Sequence, residues 1–259
     1  MKVIIVVGIS IALGIVCGSG SVYAFNHMPD EWLGTDERGR EWQRVKSVPW
    51  KYIFTATFIV VGIYLGMKDP LKAPGYYASC LLLTQLAMAG FLYDRTPRPV
   101  VWLLALTGVG IIPFTIDEDL GFGAGSEGMI KAHLAGAAAG FALVFVLLII
   151  KKLVLRNTVK QAAGAAETRE QDKAKKGAAP GIDWALCELG LALGLLCGPV
   201  QVSVIIAAGI VLWGGHAVSK RFGNSGNNSA GNDTLMKKKI GEAFFIAVSA
   251  IVCIIVWPF

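Results

Sequence analysis

Residues 129–150 read MIKAHLAGAAAGFALVFVLLII, and this run decides the fold. A helix needs about 20 predominantly apolar residues to span the hydrocarbon core of a bilayer, and this stretch carries a single charge, Lys131, near its start. Seven more apolar segments can be drawn around it: 3–24, 52–67, 75–93, 99–115, 184–197, 200–217 and 241–257. Segment 184–197 is short and rich in Gly and Leu, which suits a half-helix or a tilted packing helix. Gly198-Pro199 separates it from the next segment, because proline cannot continue a helix and pushes the residue before it toward extended backbone. Composition agrees with the segments. Of 259 residues, 54% are hydrophobic and 16% charged, and mean hydropathy is +0.59, whereas soluble domains carry about 25% charged residues. The expected class is all-α: a polytopic integral membrane protein with about eight transmembrane helices, folded as one helical membrane domain over residues 1–259.

Loop charges set an orientation. The loops at 25–51, 94–98, 151–183 and 218–240 hold twenty of the 24 Lys and Arg residues. Basic loops face the cytoplasm, so these are expected on that side, with both chain ends opposite. Asp117, Glu118 and Asp119 fall in an opposite loop, as that orientation requires. The net charge of +6 therefore belongs to membrane topology. No Arg-rich stripe interleaved with aromatics argues for nucleic acid. Lys2, an apolar run and Val22-Tyr23-Ala24 have the outline of a signal peptide. The run is nevertheless long enough to span, and Gly18-Ser19-Gly20-Ser21 suits close helix packing, so an uncleaved first helix is the preferred reading. Residues 222–234, FGNSGNNSAGNDT, read as a linker, and 156–181 as a charged segment helical in part.

Ionisable residues at membrane depth or at its edge are costly and read as functional by default. Asp94 ends one apolar segment and is followed by Arg95-Thr96-Pro97-Arg98-Pro99. On spacing alone it suits an interfacial acid paired with Arg95 or Arg98. Asp183 opens segment 184–197 and suits a helix N-cap. Both lie on the side that charge counting makes cytoplasmic. Two carboxylates sharing a site and a proton are the basis of aspartic proteolysis, one as general base on water and the other protonating the scissile carbonyl. Glu188 lies deeper in the same segment as Asp183, as a supporting group or an interhelical polar partner. Asp233 stays open as a rival for the second aspartate.

Other motifs carry less. The five cysteines, Cys17, Cys80, Cys187, Cys197 and Cys253, form no C-x-x-C pair, so neither a zinc site nor a disulfide framework is indicated. They read as small buried hydrophobes. His27, His133 and His216 are scattered, and no three-ligand metal site is expected. Gly121-Phe122-Gly123-Ala124-Gly125 follows no strand and lacks the Lys-Ser/Thr of a phosphate loop. Ser21 and Ser126 have no neighbouring His or Lys to activate them. No matched halves with broken helices suggest a transporter.

At these residues the chain resembles the type IV prepilin peptidase family, membrane aspartic proteases that process pilins and pseudopilins. Residues 18–33 (GSGSVYAFNHMPDEWL) are similar to the family's opening GSFLNVVIYRLP pattern, and 90–102 (GFLYDRTPRPVVW) look like its first catalytic stretch. Residues 179–199 (APGIDWALCELGLALGLLCGP) resemble the GxGDxKLxxxLGLxLGP stretch carrying the second aspartate, and 237–250 (KKKIGEAFFIAVSA) its closing kkiPFGPFLalGa helix. Asp183 is preferred to Asp233 because the Gly-Leu run ending in Gly-Pro follows it at the family's spacing. Pro180 and Ile182 replace the glycines flanking the family's second aspartate, and Ala185 its following lysine. The paired C-x-x-C motifs of the first loop are missing, so methyltransferase activity is not part of the expectation.

The resemblance implies an aspartic endopeptidase of the inner (cytoplasmic) membrane, with Asp94 and Asp183 catalytic and neither metal nor cofactor. Its partners would be the lipid bilayer and a prepilin-like substrate with a basic leader and an apolar N-terminal helix. Acids of the first loop, Asp30 and Glu31 among them, would attract that leader or simply form a solvated face. The alternative is a non-catalytic relative acting as an assembly or binding component, which the altered surroundings of Asp183 motivate.

Overall fold

Proline and glycine interrupt the chain where its apolar runs stop, and the helices follow that pattern. The computed structural model describes residues 2–33, 47–68, 70, 72–114, 126–164, 183–223 and 240–256. Helices α1 (Lys2–Asn26), α2 (Asp30–Leu33, a single turn), α3 (Ser47–Lys68) and α4 (Ala73–Tyr93) are followed by α5 (Arg98–Ile111), which a 3-10 turn extends to Phe114. Then come α6 (Ser126–Gly164), α7 (Trp184–Gly223) and α8 (Glu242–Val256), and no strand occurs among the described residues. Pro74 and Pro99 sit in the first turns of α4 and α5, where a missing N–H costs nothing. The charged segment after residue 155 is helical as far as Gly164.

The expected all-helical class is found. Among the described residues, five helices are long and apolar enough to cross a membrane: Val3–Asn26, Pro49–Lys68, Ala73–Tyr93, Ile130–Leu153 and Trp184–Ala217. Helices α5 and α8 are shorter and apolar. Phe58, Leu83, Leu86, Leu104, Leu189 and Ile254 are sealed inside. Large apolar side chains also cover the outside, among them Ile4, Val16, Trp102, Leu106, Val211 and Val256. On helices of this length and apolar content, such outward-facing side chains suit contact with lipid. The fold defines a helical membrane protein.

Neighbouring segments alternate in direction. Gly14 of α1 faces Ile59 of α3, and Gly18 faces Thr55, an antiparallel pair in which the sequence's Gly-Ser-Gly-Ser stretch contributes Gly18. Phe58 lies against Tyr77 and Trp50 against Phe91, which sets α4 antiparallel to α3. Between α4 and α5, the Ser79 and Thr107 hydroxyls meet at 3.2 Å. Gly136 of α6 faces Gly194 and Gly198 of α7, and Gly140 faces Gly190. Further along, Phe145 stacks on Trp184 with centroids 6.1 Å apart. The first arm of α7 (184–197) therefore runs antiparallel to α6. Gly140 also faces Val202, and Lys151 lies over the Trp213 ring at 5.8 Å, so the second arm (199–223) runs back alongside α6.

The reversal falls at Gly198, whose φ of 79° and ψ of 179° belong to a region that only glycine occupies without strain. Pro199 opens the second arm, and the reversal leaves the last carbonyls of the first arm, that of Leu195 among them, without helical donors. His133 of α6 supplies the missing donor: its Nδ1 lies 2.7 Å from Leu195 O. A carbonyl can only accept, so Nδ1 carries the proton. His133 is buried, and a buried carbonyl stripped of its donor costs about 1–3 kcal/mol. His133→Ala is expected to lower the unfolding free energy in detergent by that amount, whereas replacement of the exposed Leu134 by Ala should change it by less than about 0.5 kcal/mol.

Candidate functional site

One end of the bundle collects the polar groups. There α4 ends, α5 begins, both arms of α7 terminate and α8 starts. Asp94 follows the last residue of α4 as its C-cap, with φ 55° and ψ 39°. It is the one non-glycine residue at positive φ among the described residues. Asp and Asn enter this left-handed region more readily than other side chains, though at a cost. In return its N–H reaches Ala89 O, closing the last turn in the manner of a left-handed C-cap. Downstream, Pro97 holds Thr96 off helical geometry, and α5 starts one residue later.

The half-buried Asp94 side chain lies over the start of α8. Gly241 N–H donates to Gly90 O at 2.8 Å. A Cβ built on Gly241 would stand 2.8 Å from Asp94 Oδ1 and 3.1 Å from Asp94 Cα. A side chain at 241 would press on the Asp94 carboxylate and on the backbone of the turn that carries it. Phe244 N–H donates to Gly241 O at 3.2 Å, which begins the α8 ladder, and the Phe244 ring packs on Phe91 of α4. The next residue, Glu242, accepts a hydrogen bond from Lys151 of α6.

Asp183 lies at the N-terminus of α7, exposed to solvent. Its Oδ1 accepts the Ala185 N–H at 3.1 Å, and its backbone carbonyl accepts that of Leu186. This is an N-cap, favoured both by the orphan amides of a helix start and by the positive end of the macrodipole. Ala185, standing where the resembled family has lysine, is buried. Arg98, at the head of α5, pairs with Glu188 of α7, Nε to Oε1 at 3.7 Å. This pair joins the turn carrying Asp94 to the arm capped by Asp183. Glu188 Oε2 is buried without a hydrogen-bond partner among the described residues.

Both aspartates thus belong to one end of the bundle, in different settings: Asp94 in a left-handed turn packed on glycine, Asp183 at an exposed cap. Asp233, the glycine-rich stretch 121–125, Pro180 and Ile182 lie outside the described residues. The histidines serve locally. His27 Nδ1 lies 2.9 Å from Tyr23 O with its ring on Tyr23, His133 caps Leu195, and His216 packs on Phe245. Cys80, Cys187, Cys197 and Cys253 are buried thiols and Cys17 is half-buried. No group of three metal-ligating side chains occurs among the described residues. Ser21 is fully buried, and its carbonyl accepts a hydrogen bond from Gln85 Nε2 at 3.0 Å. The Lys151–Glu242 pair and Gly241 were not singled out from sequence as site residues. Gly241 sits inside the stretch that resembles the family's closing helix, which was the available signal. The ion pair spans 91 residues and left none.

No protein-family model, curated protein or solved structure matches this chain.

Proposed function

We propose that this protein is a membrane aspartic endopeptidase that removes the basic leader of prepilin-like or pseudopilin substrates at the cytoplasmic face. Counting the two arms of α7 and the shorter α5 and α8 as spans gives eight crossings. The basic loops support a cytoplasmic setting for the polar end of the bundle. The substrate's apolar helix would enter the bilayer beside these spans, with its leader at the polar end. There Asp94 and Asp183 activate water and protonate the scissile carbonyl between them, and no metal takes part.

The observation that carries this reading is the backbone of Asp94. Its left-handed turn caps α4, a position usually filled by glycine and sometimes by asparagine, so a carboxylate kept there at a cost supports a role beyond capping, and such outliers gather at functional sites. The stretch around it is also the closest in pattern to the resembled family. One observation favours the second reading, a non-catalytic membrane assembly component: Asp183 Oδ1 is occupied in capping its own helix.

Substitutions at Asp183 separate the two. Asp183→Ser keeps a capping oxygen and removes the carboxylate, while Asp183→Ala removes both and costs about 1 kcal/mol of stability. If Asp183 is catalytic, both variants lose leader removal in cells co-expressing a pilin-like precursor, and Ser is no better than Ala. Full processing by Asp183→Ser would restrict Asp183 to capping. Loss of processing in Asp233→Ala instead would move the second carboxylate there.

A further inference from the structure

Asp94 does not position its own carboxylate. The last turn of α4, which Asp94 closes, is tied to the residue that leads into α8 through the Gly241 N–H on Gly90 O at 2.8 Å, and the Asp94 side chain rests where Gly241 has no Cβ. Whatever fixes the first turn of α8 therefore fixes Asp94. That turn opens with Glu242, and Lys151 reaches it from α6. Lys151 is itself held from a third side, its ammonium 5.8 Å from the centroid of Trp213 in the second arm of α7. Neither partner is fully buried: the side chains are 35% and 21% exposed. A pair at this depth is better suited to fixing geometry than to adding stability.

We propose that Lys151 and Glu242 are positioning residues for Asp94, an ion pair between α6 and α8 that sets Gly241 against the left-handed turn and so aims the carboxylate. The inference rests on the reading of Asp94 as a catalytic acid. The chain of contacts is continuous: Trp213 orients Lys151, Lys151 holds Glu242, Glu242 begins α8, and Gly241 seats Asp94. Misplacing a catalytic group by about 1 Å is enough to cost on the order of 100-fold in rate.

The test uses Lys151→Met, Glu242→Gln and the exchanged pair Lys151→Glu/Glu242→Lys in the full chain. Two readouts are taken. The first is leader cleavage, where each single variant is expected to lower kcat roughly 10- to 100-fold with KM little changed, and the exchanged pair to recover most of the loss. The second needs no activity: the Asp94 carboxyl resonance of 13C-aspartate-labelled protein in detergent, identified by its absence in Asp94→Asn. That resonance should shift in both single variants and return in the exchanged pair, while the Asp183 resonance stays in place. Should the unaltered protein cleave nothing, the endopeptidase reading fails and the resonance still decides the positioning role. An unmoved Asp94 resonance in both single variants overturns the proposal. So does a cleavage loss that only follows the amount of folded protein and is not recovered by the exchanged pair.

Discussion

Replacing Asp94 by Asn is expected to reduce leader cleavage at least about 1,000-fold while leaving the protein folded. General acid–base groups typically contribute about 10²- to 10⁴-fold, and a shared-proton pair loses its chemistry when either member cannot ionise. Asn is the right replacement because it accepts left-handed backbone about as readily as Asp, so the turn at φ 55° and its packing on Gly241 survive. Asp94→Leu would confuse the two effects, since an apolar side chain in that conformation is strained whatever its chemistry. Cleavage rate and the detergent unfolding midpoint, measured on the same Asp94→Asn preparation, separate them. A variant that unfolds like the parent and still cleaves at a tenth of its rate would remove Asp94 from the mechanism.

The largest loss of stability is expected at the seam between α6 and α7. Gly136 and Gly140 on one helix meet Gly190 and Gly194 on the other, and a Cβ on any of the four would run into backbone of the facing helix. Between helices in a bilayer there is no hydrophobic driving force, so association rests on close van der Waals approach, which small residues four apart permit. Gly140→Leu would drive a side chain into the Gly190 carbonyl. Backbone cannot change rotamer to escape, so the cost is expected at or above about 3 kcal/mol, the upper part of the usual overpacking range. Gly8→Leu, on an exposed face of α1 with nothing within 4 Å of the added Cβ, should change stability by less than about 0.5 kcal/mol. Unfolding of both in detergent, followed by helical circular dichroism, measures the difference. Equal stability of the two variants would mean that this seam does not hold the bundle together.

The helices were legible because length and apolar content are local properties. The run drawn at 75–93 is helix Ala73–Tyr93, and that at 129–150 is the apolar part of Ser126–Gly164. The break at Gly198-Pro199 was legible for the same reason, since proline and glycine act on their own backbone. The packing was less so. Glycines at 136, 140, 190, 194 and 198 follow a four-residue spacing visible in the sequence, but which helix each row faces depends on the fold. The repair of Leu195 by His133 depends on it too: the sequence shows a lone histidine in an apolar helix and a proline 66 residues away. At the site, Asp183 was readable as a cap because capping is decided within three residues. Asp94 was readable as the acid closing α4, but its left-handed backbone and its seat on Gly241 come from a helix more than 140 residues later.

Cleavage of a precursor by the purified protein is the decisive measurement. Purified protein in detergent is mixed with a purified pilin-like precursor carrying a basic leader, and the products are weighed by mass spectrometry beside a parallel reaction with Asp94→Asn. The expected result is two products from the parent protein, a short basic peptide and a subunit beginning at its apolar helix, with only intact precursor in the Asp94→Asn reaction. Intact precursor in both reactions, or the same cut made by both proteins, would contradict it.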